Sequence, residues 1–402
     1  MWKLMTLAFA SLVSTAPTTL DFNNFAPINQ FALRLLDNTY AYEKNDPNKL
    51  RTNIAISPLS VWSIFSLLAE GSSGDTFLEL MRELRLPRDL RSTQALHLAA
   101  RNILKCGDKD VLINGKSVIF SDCSLEIHPE FCKAAVTYNT DIYSVDPSNT
   151  TKLANDINYF ICLATEGRIL NAVKPEVLEN LRMVLIDALY FKANWTKQFD
   201  RSYTKVETFY NSQGKMIGSV NMMYQKGNHS FGDATSIEAQ VLELTYGRDQ
   251  QFAMLILLPF DGVTIKSLLK NLASQPLSWM TEYKYSTNLP DIEVYVPRFK
   301  MSSQTNLIPP MQYSGIISVF DKQRAQLPGV SNSPLFVSKT IQNVDIEVTE
   351  SGTVAASSTV VGLENRRLGQ KFVANKEFVF LIIEKCSRAI LFAGVYEDPS
   401  LF

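Results

Sequence analysis

Glu350-Ser-Gly-Thr-Val-Ala-Ala-Ser-Ser-Thr-Val-Val-Gly-Leu-Glu-Asn-Arg-Arg-Leu-Gly-Gln370 breaks the habits of a connecting loop. It is long for a connection inside a compact domain, where about 4–6 residues is usual. It contains no proline, and no charge between Thr353 and Leu363. That composition suits a strand, yet the stretch ends in Arg366-Arg367, a pair that belongs in water. Side chains along a strand alternate faces with period two. With Thr353 taken as inward, the buried set is Thr353, Ala355, Ser357, Thr359, Val361 and Leu363, all small or apolar. The segment has the residues of a buried strand and the place of a loop.

Working outward, helical and extended patterns alternate without repeats or a Gly/Ser linker. Ser57-Pro58 reads as a helix start, a capping hydroxyl followed by a first-turn proline. Val61, Ile64, Phe65 and Leu68 then recur at helical spacing and are expected to face a core. Gly71-Ser-Ser-Gly74 reads as a turn, and Asp75 begins a helix carrying Phe77, Leu80, Met81 and Leu84, stopped near Pro87. From Val184, the run Val-Leu-Ile-Asp-Ala-Leu-Tyr-Phe is that of a strand covered on both faces. Val241–Leu244 and Phe252–Pro259 read as a hairpin across Tyr246–Gln250. Ile292–Phe299, Phe378–Ile383 and Ala389–Val395 complete a β-rich second half.

Length alone, 402 residues, argues softly for two or three domains, but no composition break divides them. Lys and Arg number 39 against 40 Asp and Glu, so bulk charge attracts neither nucleic acid nor an anionic membrane. No apolar run approaches the ~18–20 residues that span a bilayer. Residues 1–16 read as a secretory signal: Lys3 opens it, Leu4–Val13 is mostly apolar, and Ser14-Thr15-Ala16 offers small residues for cleavage. A buried N-terminal helix is the alternative. The expectation is a secreted, extracellular chain with one domain over 17–402. Asn149, Asn194 and Asn228 begin glycosylation triplets, although Asn194 adjoins Trp195, expected to be buried. Cys106, Cys123, Cys132, Cys162 and Cys386 are too few for a disulfide scaffold, and most read as small buried hydrophobes.

Catalytic chemistry is missing from this pattern. His97, His128 and His229 lack metal-ligand spacing and read as surface or capping residues, so no metal or other cofactor is expected. There is no G-x-S-x-G elbow, P-loop or G-x-G-x-x-G fingerprint. Arg82, Arg85, Arg88 and Arg91 recur at three-residue spacing. They could form a stripe for a sulfated polysaccharide, but Glu83, Pro87 and Asp89 interrupt it and favour a solvated face.

Read with its flanks, the 350–370 stretch resembles the hinge and reactive loop of the serpins. Asn53-Ile-Ala-Ile-Ser57-Pro58-Leu-Ser60 resembles that family's N-x-x-x-S-P-x-S, and Thr165-Glu-Gly-Arg-Ile169 its T-x-G-x-I turn. Ala188-Leu-Tyr-Phe191-Lys192-Ala-Asn-Trp195 is similar to its A-x-Y-F-K-x-x-W strand. Gln240–Leu244 with Met254–Pro259, and the closing Ile390-Leu-Phe392-Ala-Gly394-Val, complete the series over nearly the whole chain. The resemblance implies a single α+β domain: three β-sheets, about nine helices and an exposed reactive centre loop near residues 350–375.

It also implies a function, that of a monomeric, non-enzymatic suicide inhibitor whose loop is bait for a serine protease and enters the central sheet once cut. The hinge Glu350, Gly352, Thr353, Ala355, Ala356, Ser357 and Ser358 matches the family's inhibitory pattern, with Val354 a departure. The family's scissile residue lies at about the seventeenth position from the hinge glutamate, which is Arg366, so the reactive bond is Arg366-Arg367 and the target trypsin-like. Counting back from Phe378 lands instead on Leu363 or Glu364, because the loop is two to three residues short. That shortening keeps open a non-inhibitory serpin serving as a binding or scaffold protein. Ser57, Ser60, Asp187, Gln342 and Trp195 map to the region where the family's central sheet opens. Asp187 and Gln342 replace its usual asparagine and histidine, and a hydrogen bond between them is expected to substitute. Glu377 replaces its usual proline.

Overall fold

A computed structural model describes residues 3–4, 22–46, 53–105, 110–283, 291–352 and 370–402. Among these are nine α-helices, beginning with α1 (Phe22–Lys44), α2 (Pro58–Glu70), α3 (Gly74–Glu83), α4 (Leu90–Lys105), α5 (Pro129–Thr137) and α6 (Thr150–Ala164), and sixteen strands in three sheets, the expected α+β architecture. The central sheet runs β1 (Lys3–Leu4), β4 (Thr140–Val145), β3 (Val111–Asp122), β5 (Met183–Ala193), β13 (Lys339–Val348) and β12 (Phe299–Asn306). The second runs β2 (Ile54–Ile56), β16 (Ile390–Tyr396), β15 (Phe378–Glu384), β10 (Phe252–Pro259), β9 (Ala239–Tyr246) and β8 (Ser230–Ala234), every neighbour antiparallel. The third is β14 (Lys371–Val373), β11 (Asp291–Pro297), β7 (Met216–Asn228) and β6 (Lys205–Tyr210).

Burial explains why the longest strands have the sequences they do. Helix α6 (Thr150–Ala164) lays Ile157 and Ile161 over one face of the central sheet, against Val118, Phe120, Val184 and Ile186. The other face meets the second sheet and helix α2 (Pro58–Glu70). Every residue of β5 except Lys192 is therefore buried, which is why it reads as a continuous apolar run. β10, β15 and β16 are buried throughout for the same reason. Aromatic rings close the junction of the sheets: Tyr396 stacks on Phe378 at 5.2 Å and tilts against Phe299 at 4.9 Å. The main core cluster runs from Phe25 to Tyr396, and a second one lies under α6 around Phe120, Ile157 and Ile186.

Several local expectations hold and several do not. Val61, Ile64, Phe65 and Leu68 are buried in α2, and Gly71–Gly74 turns the chain into α3 (Gly74–Glu83). Leu80 and Leu84 are buried, while Phe77 and Met81 are half-buried. Ser57 occupies the N-cap position of α2 but does not cap it; its hydroxyl donates to Leu391 O at 2.8 Å. Ile292–Phe299 is two strands rather than one, because the chain leaves the third sheet at Pro297 and enters the central sheet at Phe299. Arg298 alone bridges that change of sheet. His97 is a core residue instead of a surface one, 2% exposed and packed on Tyr138; burial first, then Arg101, pushes its pKa down to about 3. Of the four described cysteines only Cys132 is buried; Cys123 and Cys386 are exposed, Cys162 lies between, and none is disulfide-bonded.

Candidate functional site

The decisive relationship lies in the middle of the central sheet. β5 and β13 are parallel and directly paired, from Val184–Lys339 to Phe191–Ile346. Each is antiparallel to its other long neighbour, β3 and β12 respectively. A strand entering between them in the reverse direction would be antiparallel to both, so each would gain a regular ladder on that side. The chain beyond β13 turns at that point: Thr349 and Gly352 exchange backbone hydrogen bonds of 3.1 Å, and Gly352 has φ +96°. The turn packs against the end of β5, with Gly352 beside the backbone of Ala193, Asn194 and Trp195.

Polar groups hold that seam shut at mid-height. Gln342 on β13 is fully buried and faces Asp187 on β5, donating from Nε2 to Oδ2 at 2.7 Å. Its amide also clasps the start of α2, accepting from Ser57 N at 2.9 Å and donating to Ser57 O at 3.0 Å. Ser60 Oγ donates to Asp187 Oδ2, and Ser117 Oγ donates to Oδ1 at 2.7 Å. The expected Asp187–Gln342 bond therefore forms, inside a larger network that includes Ser57 and Ser60. Ser117 carries no local mark in the sequence, because only the register of β3 on β5 places it opposite Asp187. Burial raises the pKa of Asp187 above the ordinary carboxylate value, against the lowering effect of hydrogen bonds from Ser60, Gln342 and Ser117.

Trp195 is not part of this cluster. It stands just beyond the end of β5, where the hinge turn docks. Its indole Nε1 donates to Thr349 O at 2.8 Å and its backbone amide to Ser351 O at 3.1 Å. Its ring stacks on Tyr246 at 4.2 Å, which fixes the indole against sheet two. Glu350 is 5% exposed and is held from several directions. Phe199 N donates to its carbonyl at 2.8 Å and Thr204 Oγ1 to its carboxylate at 2.8 Å, with Arg298 Nη1 at 3.4 Å and Arg201 Nε at 3.9 Å. Arg298, Thr204 and Arg201 carry no local signal that would have marked them in the sequence.

The remaining candidates are scattered. Thr353, Ala355, Ala356, Ser357, Ser358, Arg366, Arg367 and the alternatives Leu363 and Glu364 lie outside the described residues, as do all of residues 1–16, the expected signal, except Lys3 and Leu4. Asn149 and Asn228 are exposed. Asn194 is half-buried, with Nδ2 donating to Asp110 at 3.2 Å and its Cα against Gly352, which leaves poor room for a glycan. Arg82, Arg85, Arg88 and Arg91 are exposed, and Arg82 pairs with Glu83 at 2.6 Å. Helix α3 ends at Glu83, so the four do not share one helical face.

Comparison with known proteins agrees with this geometry. The family model "Serpin (serine protease inhibitor)" matches residues 26–399. The chain belongs to the serpin family. It is 30% identical to antichymotrypsin-2 of Bombyx mori over 372 residues, 88% of this chain and 93% of that protein. It is likewise 30% identical to human leukocyte elastase inhibitor, covering 90% of this chain and 97% of the other. Among solved structures, Serpin48 of the insect Tenebrio molitor superposes with a TM-score of 0.78 at 25% identity, over 95% of this chain and 99% of that one. Human thyroxine-binding globulin superposes with a TM-score of 0.79 at 23% identity, over 93% and 98%, so the same fold also occurs in a thyroxine-binding protein. Inhibitors of serine proteases are thus among its relatives.

Proposed function

We propose that the protein is a secreted, monomeric suicide inhibitor of trypsin-like serine proteases. The observation that carries this reading is the directly paired, parallel β5–β13 seam with a reversing turn at its end. In the proposed reaction the protease serine oxygen attacks the Arg366 carbonyl, and the amine of Arg367 leaves with a proton. The freed loop then enters the seam while Arg366 is still esterified to the enzyme. Moving residues 353–366 into a strand at ~3.3 Å each carries the ester roughly 46 Å from where it formed. The arginine bait calls for a protease whose specificity pocket is acidic.

Register supports the fit. Continued from the Thr349–Gly352 bridge, an antiparallel strand would set Thr353 opposite Val348, Ala355 opposite Ile346, Ser357 opposite Val344 and Thr359 opposite Gln342. Those four residues of β13 are at most 1% exposed. Directly opposite residues share a face, so the small inward set meets the packed side of the sheet. Thr359 would arrive between Asp187 and Gln342 with a hydroxyl able to donate to one and accept from the other. A full strand gains about a dozen backbone hydrogen bonds at ~0.5–1.5 kcal/mol each, comparable to the ~5–15 kcal/mol that holds a domain.

The short spacing from Arg366 to Phe378 favours a second reading, a non-inhibitory binding protein whose bait sits too close to the body for a protease to dock. Incubation with trypsin separates the two. Inhibition gives a covalent adduct that survives SDS. Complete cleavage with undiminished trypsin activity, and no rise in melting temperature of the nicked chain, would overturn the inhibitory reading.

A further inference from the structure

The residue that holds Glu350 also holds the last described residue of the chain. Arg298 donates from Nε to Phe402 O at 2.5 Å, and its guanidinium lies 5.7 Å from the centre of the Phe402 ring. Asn221 Nδ2 donates to the same oxygen at 2.9 Å, and Asn221 O accepts from Arg298 N at 2.8 Å. From the same guanidinium, Nη1 reaches Glu350 Oε1 at 3.4 Å. Arg298 is the single residue between β11 and β12, so its backbone is pinned by two sheets while its side chain is 22% exposed.

We propose that residues 399–402 act as a strap on the hinge, with Phe402 positioning Arg298 so that Arg298 keeps Glu350 docked. A guanidinium is a rigid planar fork, so fixing Nε and covering one face with a ring fixes where Nη1 points. Without the strap the side chain regains rotamer freedom, and an arginine near the surface gives up much of such an ion pair to water. Glu350 then rests on Thr204 and the more distant Arg201. The tail itself is well seated: Asn53 Nδ2 donates to Asp398 O at 2.9 Å, and Pro399 lies over Gly218, where an added Cβ would come within 2.6 Å of its ring. Phe402 is accordingly a positioning residue for the hinge, acting through Arg298. The consequence for loop entry rests on the insertion reading above, but the docking of Glu350 does not.

Hydrogen exchange tests the docking directly. The Trp195 and Phe199 amides donate to Ser351 O and Glu350 O, so their protection reports whether the hinge is seated. Phe402→Ala and Arg298→Ala are each expected to speed exchange at these amides on the order of tenfold, equivalent to ~1.4 kcal/mol. The double variant should be no faster than either single, Phe402→Tyr should restore protection, and β15 amides should stay unchanged. If Phe402→Ala leaves both hinge amides at wild-type rates, or if the two substitutions add, the strap is refuted. A synthetic peptide of residues 353–364 then separates the two proposals. Uptake by the wild type that is faster in Phe402→Ala supports both. No uptake by any variant, with altered hinge exchange, counts against insertion and leaves the strap standing.

Discussion

Gln342 donates to Asp187 at 2.7 Å across two parallel strands, and among the described residues no cation joins that network to offset the carboxylate's charge. A buried carboxylate without a cation depends on its hydrogen-bond donors. Here they come from three directions: Ser60 on α2, Ser117 on β3 and Gln342 on β13. The seam that the loop is proposed to enter is therefore fastened by an interaction that is strong only while all three donors remain in place.

Gln342→Ala should accordingly destabilise the protein by about 1–3 kcal/mol, the cost of leaving a buried acceptor short of a donor. It also strips Ser57 of both amide contacts at the start of α2. Urea unfolding with an unchanged slope is the measurement. A loss under 0.5 kcal/mol, the range of ordinary surface substitutions, would show that the network is not what closes the seam.

The raised pKa of Asp187 has a sign that can be worked out. The folded state binds this proton more tightly than the unfolded chain, where the group titrates near ~3.9. The associated stability is complete below the unfolded pKa and is lost as pH rises through the folded one. Asp187→Asn removes that titration while its amide can still satisfy Ser60, Ser117 and Gln342 after a flip. The variant is expected to lose the part of the wild-type stability decline that begins above about pH 4. Parallel wild-type and variant curves across that range would mean that Asp187 does not carry it.

Legibility in the sequence followed burial. Strands β5, β10 and β15 are enclosed on both faces, so their apolar runs announced them. Arg298 was hidden because β-propensity continues smoothly through Ile292–Phe299 while the chain changes sheets beneath it. Propensity reports a pleated environment but not which sheet provides it. Ser57-Pro58 has the local pattern of a cap, yet the hydroxyl's acceptor lies 334 residues away, and a distant burial contact prevails over the nearby amides. Ser117 and Thr204 are ordinary polar residues until pairing sets them beside Asp187 and Glu350. Asp187 and Gln342 were recognisable as a pair only through the family resemblance.

Gly352 is required by both conformation and space. Its φ of +96° lies where side chains are disfavoured, and an added Cβ would fall 2.2 Å from Ala193 O and 2.4 Å from Trp195 N. Those atoms are backbone, so neither can swing aside. Gly352→Val should undock the turn, at a cost of about 1–3 kcal/mol for the backbone strain alone. Tryptophan fluorescence checks it, since Trp195 Nε1 donates to Thr349 O within this turn. An unchanged spectrum and melting temperature would mean that the turn is held less tightly than its geometry indicates.

The insertion reading makes its sharpest claim about parity. Residue 355 would face inward opposite Ile346, which is 0% exposed, whereas residue 354 would share a face with Glu347, whose side chain is 19% exposed. A glutamate at 355 would bring a charge into a packed interior with no partner and no new site for trypsin, at a cost of several kcal/mol. A glutamine at 354 would reach the solvent-side charges of Arg168 and Lys300 around Glu347. Ala355→Glu should thus still be cleaved near Arg366 but show no gain in melting temperature afterwards and no adduct with trypsin, while Val354→Gln keeps both. If the two variants behave alike, the loop does not enter in the register set by Thr349 and Gly352. Should the parity come out reversed, with 354 sensitive and 355 tolerant, the strand enters one residue out of step, and Thr359 never meets Asp187 and Gln342.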